Sequence, residues 1–372
     1  MKRLTALILG LCVSSSVAAQ DKPPLATKPD EAAKANLAAR DRGLDWLVHH
    51  QAQNGSWGKQ YTIAVTSFSC LAYLSAADEP FAGDRGKALL KGLAFLLANQ
   101  KDGVFNPQGH SWIHGQGFAT LALSEAYGRS LLCKMKPDID TKRIRDVVAQ
   151  AVEVIARNQS NSGGWWYTQG AKGEHEGSTT VCAVQALVSA SNFGLPIDEK
   201  VLQKGFDYLK KCQTAEGGFN YKLGDGSNMK EGTAAGVATL GLMKKFDNTV
   251  MVKGYQFLLN LTPAAISAER FPYYGHFYGC MGMQLLGEEF KEDKAYRENT
   301  QSYIAAAQKD VAGWQQKDGS FALKGWMREG NGENEGYSTA FAALALGVPE
   351  ARLSVYNRTP PNLPTTDSKR PR

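Results

Sequence analysis

The sequence predicts an all-α protein, a single α/α toroid of the α6/α6 type, in which a double ring of helices is built from about six helix-turn-helix repeats. Three observations carry this. A turn containing Gln, Gly and an aromatic residue recurs along the chain, an amphipathic helix precedes each turn, and a helix almost free of charge follows it. Self-similarity at a roughly fixed period marks a repeat architecture, in which no unit can bury its apolar face alone.

In chain order, Lys2 and Arg3 precede an apolar run from Leu4 to Val13 and the small residues Ser14 to Ala19. Residues 1–19 therefore read as a secretory signal peptide. That run is too short to span a bilayer, and no later stretch reaches about 18 apolar residues. The expectation is an exported protein, periplasmic or extracellular, with no transmembrane anchor. Cys12 follows Leu11, where lipidation would need a small residue, so an acyl anchor is not expected. Residues 20–40 hold Pro23, Pro24 and Pro29 and read as a flexible segment. The toroid is expected over 41–350, with 351–372 a disordered, basic, Pro-rich tail.

The formal net charge of +6 falls to +4 when residues 1–19 leave with Lys2 and Arg3. No basic stripe precedes Lys369 and Arg370, so a nucleic-acid partner is not expected. Cys70, Cys133, Cys182, Cys212 and Cys280 lie far apart without a CxxC pair, which argues against a zinc ribbon or dithiol site. Cys70 and Cys182 sit in apolar helical stretches and read as buried small hydrophobes. The odd count leaves disulfide pairing open.

The turns are Gln53 to Trp57, Gln100 to Phe105, Gln159 to Trp165, Gln213 to Phe219 and Gln316 to Phe321. Their first glycines stand at 55, 103, 163, 217 and 319, so the last step is about twice the others. A degenerate unit is expected there, over Met251 to Gly287, with its first helix ending near Pro263. Asn-Gly, Asp-Gly and Gly-Gly supply the left-handed backbone that ends a helix. First helices are half wet: Leu202, Phe206 and Leu209, or Leu89, Leu93 and Leu96, recur at i, i+4 and i+7. Second helices, such as Ile63 to Ala76, Ser178 to Ser191 and Thr233 to Met243, are apolar all round and must be enclosed.

At these turns the chain resembles the prenyltransferase and squalene-oxidase repeat superfamily, which includes terpene cyclases and the β subunits of protein prenyltransferases. The stretch Tyr273 to Gly287, followed by Asp318 to Phe321 and Tyr337 to Ala340, resembles exported bacterial members. The likeness covers about Gly43 to Val348 and implies inner helices around a central cavity. It does not carry over the enzymes' chemistry. Asp138-Ile139-Asp140-Thr141 is one carboxylate short of the cyclases' Asp-x-Asp-Asp acid, and Glu231-Gly232-Thr233-Ala234 lacks the thiolate of the prenyltransferase zinc site.

A polar residue followed by Gly precedes four inner helices, at His114, Glu176, Glu231 and Glu335. Helix initiation explains them locally, since acids favour a helix N-terminus. Equivalent places in a ring also converge on one mouth, which makes these four the candidate catalytic residues. The aromatic residues near the turns are the candidate ligand wall: Trp112, Trp165, Trp166, Tyr273, Tyr274, Tyr278 and Tyr337, with His276 beside them. His276 and Cys280 share a helix face as weak metal ligands, and no metal is favoured. No cofactor is predicted. Two readings stay open: a toroid that binds an apolar, isoprenoid-like or glycan ligand or a protein partner without catalysis, and an enzyme that uses the Glu/His rim as a cyclase-like isomerase or carbohydrate lyase.

Overall fold

Alternating amphipathic and apolar helices leave few ways to cover every apolar face, and a ring of apolar helices inside a ring of amphipathic ones is the simplest. The computed structural model, which describes residues 29–105, 111–243, 247–329, 335–350 and 352–357, adopts it. The outer helices are α1 (Pro29–His49), α3 (Gly83–Ala98), α5 (Thr141–Arg157), α7 (Glu199–Cys212), α9 (Asn248–Ser267) and α11 (Lys294–Ala312). The inner helices are α2 (Thr62–Ala76), α4 (Trp112–Leu132), α6 (Gly177–Asn192), α8 (Lys230–Leu240), α10 (Pro272–Glu289) and α12 (Glu335–Gly347).

Each inner helix packs on the next and α12 packs back on α2, which closes the ring. Each outer helix covers the inner helix of the unit before it, so α1 covers α12. Burial follows the two sequence patterns. In α6 every residue from Thr179 to Ala190 is buried, whereas α7 buries one face through Leu202, Phe206 and Leu209. Each large apolar side chain so enclosed contributes about 2 kcal/mol.

The turn is a joint between units. Gly163 has φ 96°, and a Cβ there would lie 2.6 Å from the Lys204 carbonyl oxygen of the next outer helix. Backbone angle and close approach both demand glycine. The aromatic residue is then tied inward: Trp57, Trp165, Phe219 and Phe321 donate their backbone N–H to Thr66, Thr180, Thr233 and Thr339 of the inner helices. Gln159 Nε2 bridges the Gly163 and Val201 carbonyls at 2.8 and 2.9 Å. Gln51 and Gln315 do the same in their units, at Gly55 and Ala88 and at Gly319 and Ala39. The structural glutamines are therefore Gln51 and Gln315, not Gln53 and Gln316, because reaching the glycine carbonyl needs a spacing of four.

The degenerate fifth unit breaks its outer helix instead. Thr262 has φ 59° ahead of Pro263, which has no N–H to continue the ladder. Ser267, at the end of α9, donates to Asp310 of α11 at 2.9 Å and meets His276 Nε2 at 2.9 Å.

Both flanks depart from expectation. Helix α1 begins at Pro29, inside the segment expected to be flexible, because Ala32, Ala33, Ala35, Ala38 and Ala39 are strong helix formers. Asn36 bonds Gln308 of α11 at 3.1 Å. At the other end, Leu353, Ser354, Val355 and Tyr356 are buried rather than part of a loose tail. Residues 1–28, with the expected signal peptide, and 358–372 lie outside the described residues. All five described cysteines are buried and unpaired, and no described helix is long and apolar enough to cross a membrane.

Candidate functional site

The N-terminal ends of the inner helices surround a cavity of about 640 Å³. Its wall is mainly apolar: Ile63, Val65 and Phe68 from α2, Phe219 from a turn, Ala235 and Gly236 from α8, and Phe271 and Trp326 at the rim. Below it the ring is filled. Phe68 packs at 4.4 Å on Phe118 and 4.3 Å on Phe341, and Phe277 meets Tyr356 at 5.4 Å. Tyr278 donates to Gln185, which donates to Thr239, as a polar tie in that floor.

The C-terminal segment seals the far end through a carboxylate. Glu125, buried in α4, accepts from Ser354 N at 2.8 Å, Ser354 Oγ at 2.7 Å, Val355 N at 3.0 Å and Ser189 Oγ at 2.7 Å. Burial raises its carboxyl above the ordinary value while these donors pull it down.

Polar groups at the mouth form a chain. Ser111 Oγ lies 3.0 Å from His114 Nδ1, His114 Nε2 lies 3.1 Å from Ser178 Oγ, and Ser178 Oγ donates to Glu176 Oε1 at 2.7 Å. Glu176 also caps α6, accepting from Ser178 N and Thr179 N at 2.7 and 2.6 Å. Burial raises Glu176 and lowers His114 to about 4, so the imidazole is neutral at pH 7. Glu231 in the first turn of α8 is raised by burial and by the neighbouring Glu269 carboxylate, which pairs with Lys230 at 2.7 Å. The Arg270 guanidinium sits over Phe271 and Trp326 at 5.6 and 5.8 Å.

The structure sorts the candidates. His114, Glu176, Glu231, Trp112, Tyr274 and Tyr337 line the cavity. Glu335 does not; it is exposed at the start of α12. Trp165 is wholly buried between the rings, its indole donating to the Ile155 carbonyl. Tyr273 turns outward to the Ala322 carbonyl, and Tyr278 lies in the floor. Trp166 is half-buried against Tyr167 and outside the lining. His276 is buried against Ser267 and Trp314, and burial lowers it to about 4. Cys280 is buried and its thiol is pushed up to about 12. Among the described residues no group of three or more His, Cys, Asp or Glu could hold a metal.

Sequence reasoning missed Tyr61, Phe68, Ser111, Ser178, Tyr221 and Arg270. Tyr61 had a readable signal, since it precedes α2 at the place the polar-Gly pairs take elsewhere. Ser111 and Ser178 had one too, standing within three residues of His114 and Glu176. Asp140, in the stretch nearest a cyclase acid motif, caps outer helix α5 by accepting from Arg143 N.

The family model described as the prenyltransferase alpha-alpha toroid domain matches residues 30–203, 189–262 and 255–360. The chain belongs to this prenyltransferase toroid family. The prenyltransferase toroid is similar in structure to a variant of the type II terpene cyclase MstE from Scytonema, in complex with geranylgeranyl dihydroxybenzoate as substrate. That likeness has a TM-score of 0.57 at 15% identity, over 88% of this chain and 100% of the cyclase. It is also similar to an inactive variant of an α-1,6-mannanase from Salegentibacter in complex with α-1,6-mannotriose, with a TM-score of 0.62 at 10% identity over 85% and 98% of the two chains. A possible member of the GH105 family from Salmonella enterica gives 0.55 at 11% identity, over 88% and 95%. At such identities the likeness speaks for the toroid fold alone. No curated protein matches the chain.

Proposed function

We propose that this toroid is an exported protein that takes an elongated apolar, isoprenoid-like molecule into its cavity. The observation that carries this is the wall. A glycan needs a polar partner for most of its hydroxyls, whereas this cavity offers Ile63, Val65, Phe68, Phe219, Ala235 and Tyr274 around few polar atoms. Its volume of about 640 Å³ suits a small-molecule ligand. His114, Glu176 and Glu231 sit at the mouth, where they would meet the polar end of such a molecule. The cyclase relative, whose complex holds a geranylgeranyl compound, agrees with this choice. Export rests on residues 1–19.

Gly115 lines the cavity in α4, and a Cβ there would meet only Ile63 at 3.4 Å. Gly115→Phe fills the cavity without straining the helix. Geranylgeraniol is expected to quench the fluorescence of Trp112 and Trp326 in the native chain and not in Gly115→Phe, at unchanged Tm. Native mass spectrometry of protein from its own envelope is expected to find a retained lipid. Binding of α-mannotriose in place of geranylgeraniol would overturn the proposal.

A further inference from the structure

We infer that the cavity mouth carries an ester hydrolase centre, in which Ser111 is the nucleophile and His114 its base, acting on carboxylic esters with a long apolar chain. This rests on the cavity reading above and goes beyond it.

The directions of the hydrogen bonds at the mouth assign the roles. A carboxylate can only accept, so the Ser178 hydroxyl proton points at Glu176, 2.7 Å away. Ser178 Oγ must then accept from His114, which places the imidazole proton on Nε2. His114 Nδ1 is left with its lone pair and accepts the Ser111 hydroxyl at 3.0 Å. A nucleophile, a neutral base and an acid that orients the base thus stand in one line, with a hydroxyl inserted between base and acid. Glu176 is itself fixed by two backbone amides. That chain satisfies more than local capping requires, because Ser111 accepts no cap bond from α4 and its hydroxyl meets the base instead.

The surroundings suit the reaction. Ser111 opens α4, a 21-residue helix whose N-terminal end favours developing negative charge. Among the described residues the cavity wall holds two polar groups with no partner, the Trp112 indole N–H in a residue only 3% exposed and the Tyr274 hydroxyl. These are the donors available to a substrate oxygen. Burial holds His114 as the free base.

Ser111 Oγ adds to the ester carbonyl carbon as its proton passes to His114 Nδ1. Collapse breaks the bond to the alkoxy oxygen, which takes that proton and leaves as an alcohol. Water then adds to the acyl-serine through the same base, and the carboxylic acid leaves with Ser111 restored. One ester and one water give one acid and one alcohol.

The test treats the full chain with a fluorophosphonate bearing a long alkyl chain, so that fluoride leaves as Ser111 Oγ bonds phosphorus, and locates the adduct by peptide mass spectrometry. Geranylgeraniol binding is measured on the same samples. The expected result is one adduct, on Ser111, absent from Ser111→Ala and His114→Gln while both unfold as cooperatively as the native chain. Ser178 acts as a positioning residue: Ser178→Ala is expected to slow labelling about 100-fold with geranylgeraniol affinity unchanged, and Ser178→Thr to restore it. No adduct on a chain that binds geranylgeraniol overturns the hydrolase and leaves the cavity reading standing. Neither adduct nor binding overturns both, and an adduct at another residue overturns the assignment of Ser111.

Discussion

At the base of the toroid, Glu125 accepts four hydrogen bonds, three of them from Ser354 and Val355, which arrive from 229 and 230 residues away. At the mouth, Glu176 accepts from Ser178 and Thr179, two and three residues along. Both carboxylates are fully buried in the inner ring. The distant partners at the base seal it with a segment of the chain, while the local partners at the mouth leave it open above Phe68 and its neighbours. Helix polarity explains part of the contrast: amides at the N-termini satisfy a carboxylate unaided, whereas near the C-termini donors must be imported.

Replacing each carboxylate tests this contrast. Glu125→Ala leaves two buried amides and the Ser354 hydroxyl without their acceptor, and a loss of at least about 3 kcal/mol is expected in urea unfolding. Glu176→Ala removes a cap and is expected to cost about 1–2 kcal/mol. Equal losses would break the comparison. Ser354→Ala, which spares both backbone bonds at the base, is expected to cost about 1 kcal/mol by the same measurement.

Acid probes the mouth and the wall. His114 and His276 are held near 4 in the fold against an ordinary 6.5. Between those values the unfolded chain binds protons that the folded chain does not, so stability falls as pH drops from about 6.5 towards 4. Burial raises Glu125 and Glu176, and their contribution runs the other way, favouring the fold as pH falls. His276→Gln is expected to flatten the decline in Tm between pH 7 and 5. The smallest effect on stability is expected of Gly115→Phe, within about 1 kcal/mol since a helical glycine is replaced, although geranylgeraniol binding is expected to be lost.

The ring was legible in the sequence because it is written in periods. Charge-free runs at 63–76, 178–191 and 233–243 name the inner helices, and a missing turn between Gly217 and Gly319 names the degenerate fifth unit. The bridging glutamines were harder, since Gln51 and Gln53, or Gln315 and Gln316, differ only in reach to the glycine carbonyl. The site was half legible for a geometric reason. Standing near an inner-helix N-terminus fixes a residue's height in the toroid, but successive residues turn by about 100° around the axis. Tyr274 therefore faces the cavity while Tyr273 faces Ala322, and Tyr278, one turn below Tyr274, falls into the packed floor. Glu335 shares the Glu-Gly pattern and faces solvent. Ser111 and Ser178 stand beside His114 and Glu176 in the sequence, but the link from one pair to the other exists only where α4 and α6 lie side by side.

The covering of α12 by α1 bears on how the protein comes into being. An open solenoid needs special end repeats with polar outer faces; here the first described helix, α1, serves as the lid for α12. Arg40 of α1 reaches Glu350 at 2.7 Å, clasping the seam. Helix α1 must hold an uncovered face until α12 has been made, so the ring closes only once its last inner helix is in place.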